Sequence, residues 1–207
     1  MIKITLTLLL LCATLKAATI QFDPFETGGI TNPSDLNNIN ITAEFTENQG
    51  NLEISLFNNS TFGDPSITQI GFDDEFNLIS SQPSIINFPP NVEFSIKNSL
   101  NISGSNNILF DTKYGFVADP PPVTNGIDIG EYIQIIINDL TEEEFRNGIE
   151  KQQIRIAFHI QSIGSNKESA GYVNRRTIVP EPTVILLAIM ALTLGLIKRR
   201  RQSKNLA

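Results

Sequence analysis

Three sets of residues in this chain have the types and spacing to do chemistry. The first is the run Asp73-Asp74-Glu75, the densest acidic triplet outside a helical pattern. Carboxylates are hard oxygen ligands, and calcium takes about six to eight of them. The acids are adjacent rather than alternating, so this is not an EF-hand loop. Two readings stand: a solvated turn, or a calcium site completed by Asp23, Glu26 or Asp64. The second is the single histidine, His159, with Ser162 and Ser169 close in sequence. A catalytic base needs a nucleophile and an orienting acid. The chain has no Gly-x-Ser-x-Gly elbow, and a hydrogen-bonded structural histidine is the plainer reading. The third is any pair of carboxylates able to hydrolyse a glycosidic bond. Acids are abundant enough to meet by chance. With no Trp and only Tyr114, Tyr132 and Tyr172, aromatic platforms for sugars are scarce, and the 13 Phe read as core.

Other chemistries are excluded by composition. The one cysteine, Cys12, lies in an N-terminal apolar run, so a chain processed beyond it has no disulfide, thiolate nucleophile or cysteine-based metal site. No motif calls for a cofactor. Residues 19–176 hold 8 basic against 21 acidic side chains, a net charge of −13. A segment this acidic repels nucleic acid and anionic lipid.

The basic residues left over mark the two ends. Lys3 precedes an apolar run from Ile4 to Leu15, and Ala17-Ala18 offers small residues for cleavage. A positive start, an apolar stretch of this length and a small-residue site are the marks of a secretory signal. The expected cut follows Ala18, although Lys16 is large for its position. A lipoprotein reading needs a small residue before Cys12, where Leu11 stands.

At the other end, Val179-Pro180-Glu181-Pro182 is a short rigid run whose prolines fix φ and donate no ladder bond. An apolar stretch follows at about 183–197, and Lys198-Arg199-Arg200-Arg201 closes it. A basic cluster after an apolar run keeps its own side cytoplasmic and places the preceding domain outside. The stretch is shorter than the roughly 20 residues of an ordinary span. Snorkelling of Lys198 and Arg199 or local thinning could absorb the mismatch. A buried core helix is the alternative.

Pro180-Glu181-Pro182, then a short apolar helix, then an arginine-rich end resembles the PEP-CTERM sorting signal of exopolysaccharide-producing Gram-negative bacteria. The resemblance covers residues 179–201. It implies export through the Sec translocon, cleavage by signal peptidase, and recognition of Pro180, Glu181 and Pro182 by an exosortase, a multi-spanning membrane transpeptidase. It further implies transient anchoring in the inner membrane by a C-terminal helix, then delivery to the cell surface or exopolysaccharide matrix.

Between the ends, hydrophobicity alternates with period two in 38–46, 51–58 and 92–97. Runs 132–138 and 153–162 are longer and more apolar, and read as central strands. Asn-, Gly-, Pro- and Ser-rich turns at 58–65, 80–84, 89–91 and 119–130 separate them. This spacing predicts an all-β fold, an antiparallel two-sheet sandwich of jelly-roll type. Thr141-Glu142-Glu143-Glu144 has capping-box spacing, with Phe145 and Ile149 on one face, and predicts a short helix over 142–151. The run Phe158-His159-Ile160-Gln161-Ser162-Ile163-Gly164 is also similar to the end of some PEP-CTERM ectodomains, where a helix precedes a last strand and a Gly/Ser-rich loop. Here that loop has less glycine, and the likeness implies a related fold without an activity. Sequons at Asn40, Asn58, Asn59 and Asn101 read as incidental to the composition.

The expected organisation is a signal segment 1–18, an ectodomain 19–173, a linker 174–179 and a sorting and anchor segment 180–204. The expected function is a non-enzymatic matrix or surface protein, structural or adhesive. A secreted glycan-active enzyme and a calcium-dependent carbohydrate-binding module are the alternatives.

Overall fold

The computed structural model describes residues 18–27, 30–88, 90–97 and 100–179. The expected signal segment, apart from Ala18, and the expected sorting segment from Pro180 onward lie outside them. Among the described residues no helix is long and apolar enough to cross a membrane.

The chain is mostly β, with one short α-helix. Its strands are β1 (Ala18–Glu26), β2 (Ile41–Asn48), β3 (Asn51–Asn58), β4 (Ser66–Asp73), β5 (Ser84–Phe88), β6 (Phe94–Ile96), β7 (Tyr114–Ala118), β8 (Tyr132–Ile137), β9 (Arg155–Ile163) and β10 (Glu168–Val179). The helix α1 (Glu142–Glu150) lies between β8 and β9, and 3-10 turns occupy Pro33–Asn38 and Ser105–Ile108. Instead of two packed sheets, the strands form one ten-stranded sheet in the order β5-β8-β3-β2-β1-β10-β9-β4-β7-β6. The sheet curls on itself. Asn58, at the end of β3, is fully buried and its amide donates to the carbonyls of Pro65 and Ile127 at 2.7 and 2.9 Å. That ties β3 to the entrance of β4, although four strands separate them in the sheet. A buried amide with both N–H groups satisfied gives Asn58 a structural role.

The alternation read from sequence is the alternation of burial. Ile41, Ala43 and Phe45 of β2, Leu52, Ile54 and Leu56 of β3, and Ile133, Ile135 and Ile137 of β8 all face the core. Gln49 and Gly50 turn the β2–β3 hairpin with φ of 54° and 80°, as a tight two-residue loop requires. β8 differs from expectation: its outer face is open, and it sits next to the edge strand β5. Five strands, β1, β4, β5, β7 and β10, were not marked by the pattern, and the expected linker 174–179 is the second half of β10.

β4 and β9 are buried on both faces because a crossing segment covers them. Leu100, Ile102 and Phe110 pack on Ala157, with Phe25, Ile108 and Val173 around them. The room comes from small residues in register: Gly115 faces Gly71, and Gly71 faces Ala157. A Cβ on Gly71 would stand 2.8 Å from Ile102 Cδ1 and 3.1 Å from Thr112 Cγ2.

α1 forms as its sequence predicts. Thr141 Oγ1 accepts from the Glu144 amide at 3.2 Å, and Glu144 Oε2 accepts from the Thr141 amide at 3.0 Å. The buried face carries Phe145, edge-on to Phe45 of β2 with ring centres 5.0 Å apart, and Ile149.

Gly71→Val should overpack the row beneath the crossing segment and cost about 1–3 kcal/mol. Urea denaturation should show a lower midpoint with an unchanged slope.

Candidate functional site

The acidic triplet folds into a built corner. Asp73 ends β4, directly opposite Arg155, which begins β9. Their side chains form an ion pair. Arg155 also donates to the carbonyl of Ile108 at 2.8 Å and to that of Leu109, and lies over the Phe110 ring at 5.3 Å. The amide of Asp111 donates to Asp73 Oδ2 at 3.4 Å. Asp74 turns the other way. Its two oxygens accept from the amides of Leu78 and Ile79, each at 2.9 Å, which closes the loop after β4. Lys113 Nζ reaches Asp74 Oδ2 at 3.1 Å and Asn77 Oδ1 at 2.7 Å. Desolvation alone would lower the Lys113 pKa, but the hydrogen bonds and charges of Asp74 and Tyr114 raise it on balance.

Between these groups lies an open pocket of about 570 Å³, lined by Asp73, Asp74, Glu75, Leu109, Asp111, Lys113 and Arg155. Asp73 and Asp74 are only 6% and 2% exposed, and each already has a cation. Glu75 is exposed. A calcium ion would have to displace Arg155 and Lys113 to use the first two carboxylates. Asp23, Glu26 and Asp64 do not line the pocket. Asp23 pairs with Arg175, Asp64 with Lys167, and Glu26 accepts from Asn107. Among the described residues no three His, Cys, Asp or Glu side chains are grouped to hold a metal ion. Among the described residues the lining includes no aromatic ring, the platform a sugar site needs.

His159 sits on the outer face of β9, between Gln69 of β4 and Gly171 of β10. It is 8% exposed, with Nδ1 3.5 Å from Thr68 Oγ1. Burial lowers its pKa. Among the described residues no hydrogen bond joins it to Ser162 or Ser169, so the structural reading of this histidine is the one its surroundings match. Tyr172 is buried and stacked on Phe158 at 5.7 Å, and desolvation pushes its hydroxyl pKa up. The acids Glu142, Glu143 and Glu144 form the first turn of α1, as expected. The sorting residues Pro180, Glu181 and Pro182 and the basic cluster Lys198, Arg199, Arg200 and Arg201 lie outside the described residues.

Sequence reasoning missed Arg155, Lys113 and Asp111. The signal for Arg155 is its cross-strand register with Asp73, which exists only once β4 and β9 are known to be neighbours. No protein-family model matches this chain, and no curated protein or solved structure matches it.

Arg155→Ala should strand the buried Asp73 charge and two carbonyls, costing about 3 kcal/mol in denaturant unfolding. Adding Asp73→Asn should recover part of that loss. His159 gives a pH dependence with a definite sign. Its folded pKa lies below the ordinary 6.5, so the unfolded chain takes up the proton first. Stability should therefore fall as pH drops from about 7 to about 5.5. His159→Gln should flatten that slope in a thermal melt series. Glu144 and Glu168 act in a lower window, because hydrogen bonds from Thr141 and Thr31 hold them below the ordinary 4.5.

Proposed function

We propose that this is an exported protein of PEP-CTERM type. It would carry an N-terminal signal helix and a single C-terminal transmembrane helix, with Pro180, Glu181 and Pro182 as the motif read by an exosortase-type transpeptidase. The Sec translocon and signal peptidase handle the first end. The second holds the chain transiently in the inner membrane, domain outside, until it is released to the cell surface or exopolysaccharide matrix. The domain then serves there as a structural or adhesive element.

The observation that supports this reading is a coincidence of boundaries. The compact unit runs from Thr19 to Val179. Thr19 is the first residue after the expected signal cut, and Val179 is the last before Pro180. In the sequence, the two motifs therefore lie on either side of the compact unit. A matrix role also agrees with a strongly acidic surface.

Replacing Glu181 with Ala, or deleting residues 183–201, should leave an uncleaved or mislocalised precursor. Immunoblotting of membrane, surface and medium fractions reads this directly. Normal processing and delivery of both variants would refute the sorting role.

A further inference from the structure

The two ends of the domain are paired strand to strand. Thr19 faces Val179, and Ile20 faces Ile178. Further in, β10 is held on both sides, since Tyr172 faces Pro24 of β1 and Phe158 of β9. The support changes at Asn174. Pairing with β9 ends at Val173 and Ala157, and the Ile156 amide donates instead to Asn174 Oδ1 at 2.6 Å. A buried side chain thus terminates the ladder that the backbone would have continued.

Beyond that point the strand neighbour of β10 is β1. The register also slips: Ile20 faces Ile178, yet Phe22 faces Asn174, so β10 carries extra residues opposite Gln21. Arg175 spans the slip. Its Nε donates to Asp23 Oδ1 at 2.8 Å and its Nη1 to Gln21 Oε1 at 2.9 Å. The hydrogen bond and charge of Asp23 raise the Arg175 pKa. Both partners are about half exposed, at 49% and 51%, which makes this a weak clamp.

This β1–β10 ribbon leads straight into Pro180-Glu181-Pro182 in the sequence. Peptide-recognising clefts commonly take an extended segment by pairing with its backbone N–H and C=O groups. A segment whose backbone is already paired with β1 cannot offer them. We infer that β1 is a latch on residues 175–179, the stretch of β10 that precedes the sorting segment in the sequence. Residues 175–179 become available to a processing transpeptidase when the β1–β10 ribbon opens, and ribbon stability sets the rate of tail processing. The physiological half of this rests on the sorting function proposed above, while the physical half rests on strand pairing alone.

The two halves separate in one experiment on the full chain carrying Asp23→Ala. Trypsin cuts after arginine, and Arg175 and Arg176 lie inside the ribbon. Fragments ending at either residue, followed by intact mass, should form about two- to fivefold faster than in the parent chain. Cleavage after Lys113 and Arg146 should keep its rate, and Asp23→Glu should restore slow cutting at the ribbon. In cells, the precursor half-life of the Asp23→Ala chain should shorten by a similar factor. Unchanged cutting at Arg175 and Arg176, or equal acceleration at Lys113 and Arg146, overturns the latch. Faster cutting by trypsin with unchanged processing in cells overturns its control of processing. Absence of any tail processing in the parent chain overturns the sorting role, and the trypsin arm still judges the latch.

Discussion

The sheet depends on the pairing of its first strand with its last. β1 lies between β2 and β10, so it joins a block of four strands, β5-β8-β3-β2, to a block of five, β10-β9-β4-β7-β6. Without β1 each block would expose an edge of unpaired backbone. The cost of closing so long a loop grows only slowly with its length. What the arrangement does cost is speed, because contacts this distant in sequence form late. The sheet cannot be completed until the chain is available as far as β10. Ile20 and Phe22 then bury their side chains, Phe22 edge-on to Phe158 at 4.6 Å, and that apolar burial is what holds the two blocks together.

The second constraint is the covering of β4 and β9. A segment that crosses the outer face of a sheet needs small residues beneath it and partners for its own backbone. Gly115, Gly71 and Ala157 meet the first need. Arg155 meets part of the second, since it takes the carbonyls of Ile108 and Leu109 while balancing Asp73. Leu109 stands at φ 50° and is 86% exposed, an unfavourable state for a branched apolar residue. The contact with Arg155 gives that backbone a reason to stay there. The acidic corner is therefore explained by the fold: its charges anchor the crossing segment and the loop after β4.

Legibility in the sequence followed the one-sided strands. β2 and β3 could be read because one face is core and the other solvent, so hydrophobicity alternates cleanly. α1 was legible because Thr141 and Glu144 carry their own capping logic. β4 and β7 were not, since Gly71 and Gly115 sit where the crossing segment packs and interrupt the alternation. β1 hid behind Pro24 and the adjoining apolar run. β10 hid because its second half, residues 174–179 with Arg175 and Arg176, read as a linker. Two separate sheets were expected because turn spacing counts strands but says nothing of which strands pair. The site was legible as acidic residues and illegible as ion pairs, because Asp73 and Arg155 meet through register, 82 residues apart.

Those same hidden strands carry the relation between fold and tail. A linker at 174–179 would let the domain and the sorting segment behave independently. Strand pairing instead runs to Val179, the residue before Pro180 in the sequence. Thr19 and Val179 face each other, so the chain enters and leaves the domain one strand spacing apart, about 5 Å. On the proposed reading, the end of the sheet that must stay closed for the fold is also the end that must open for the tail. Asn174 reconciles the two demands. It closes the β9 ladder with a side chain, so that β10 pairs with β9 only up to Val173 while its pairing with β1 runs on to Val179.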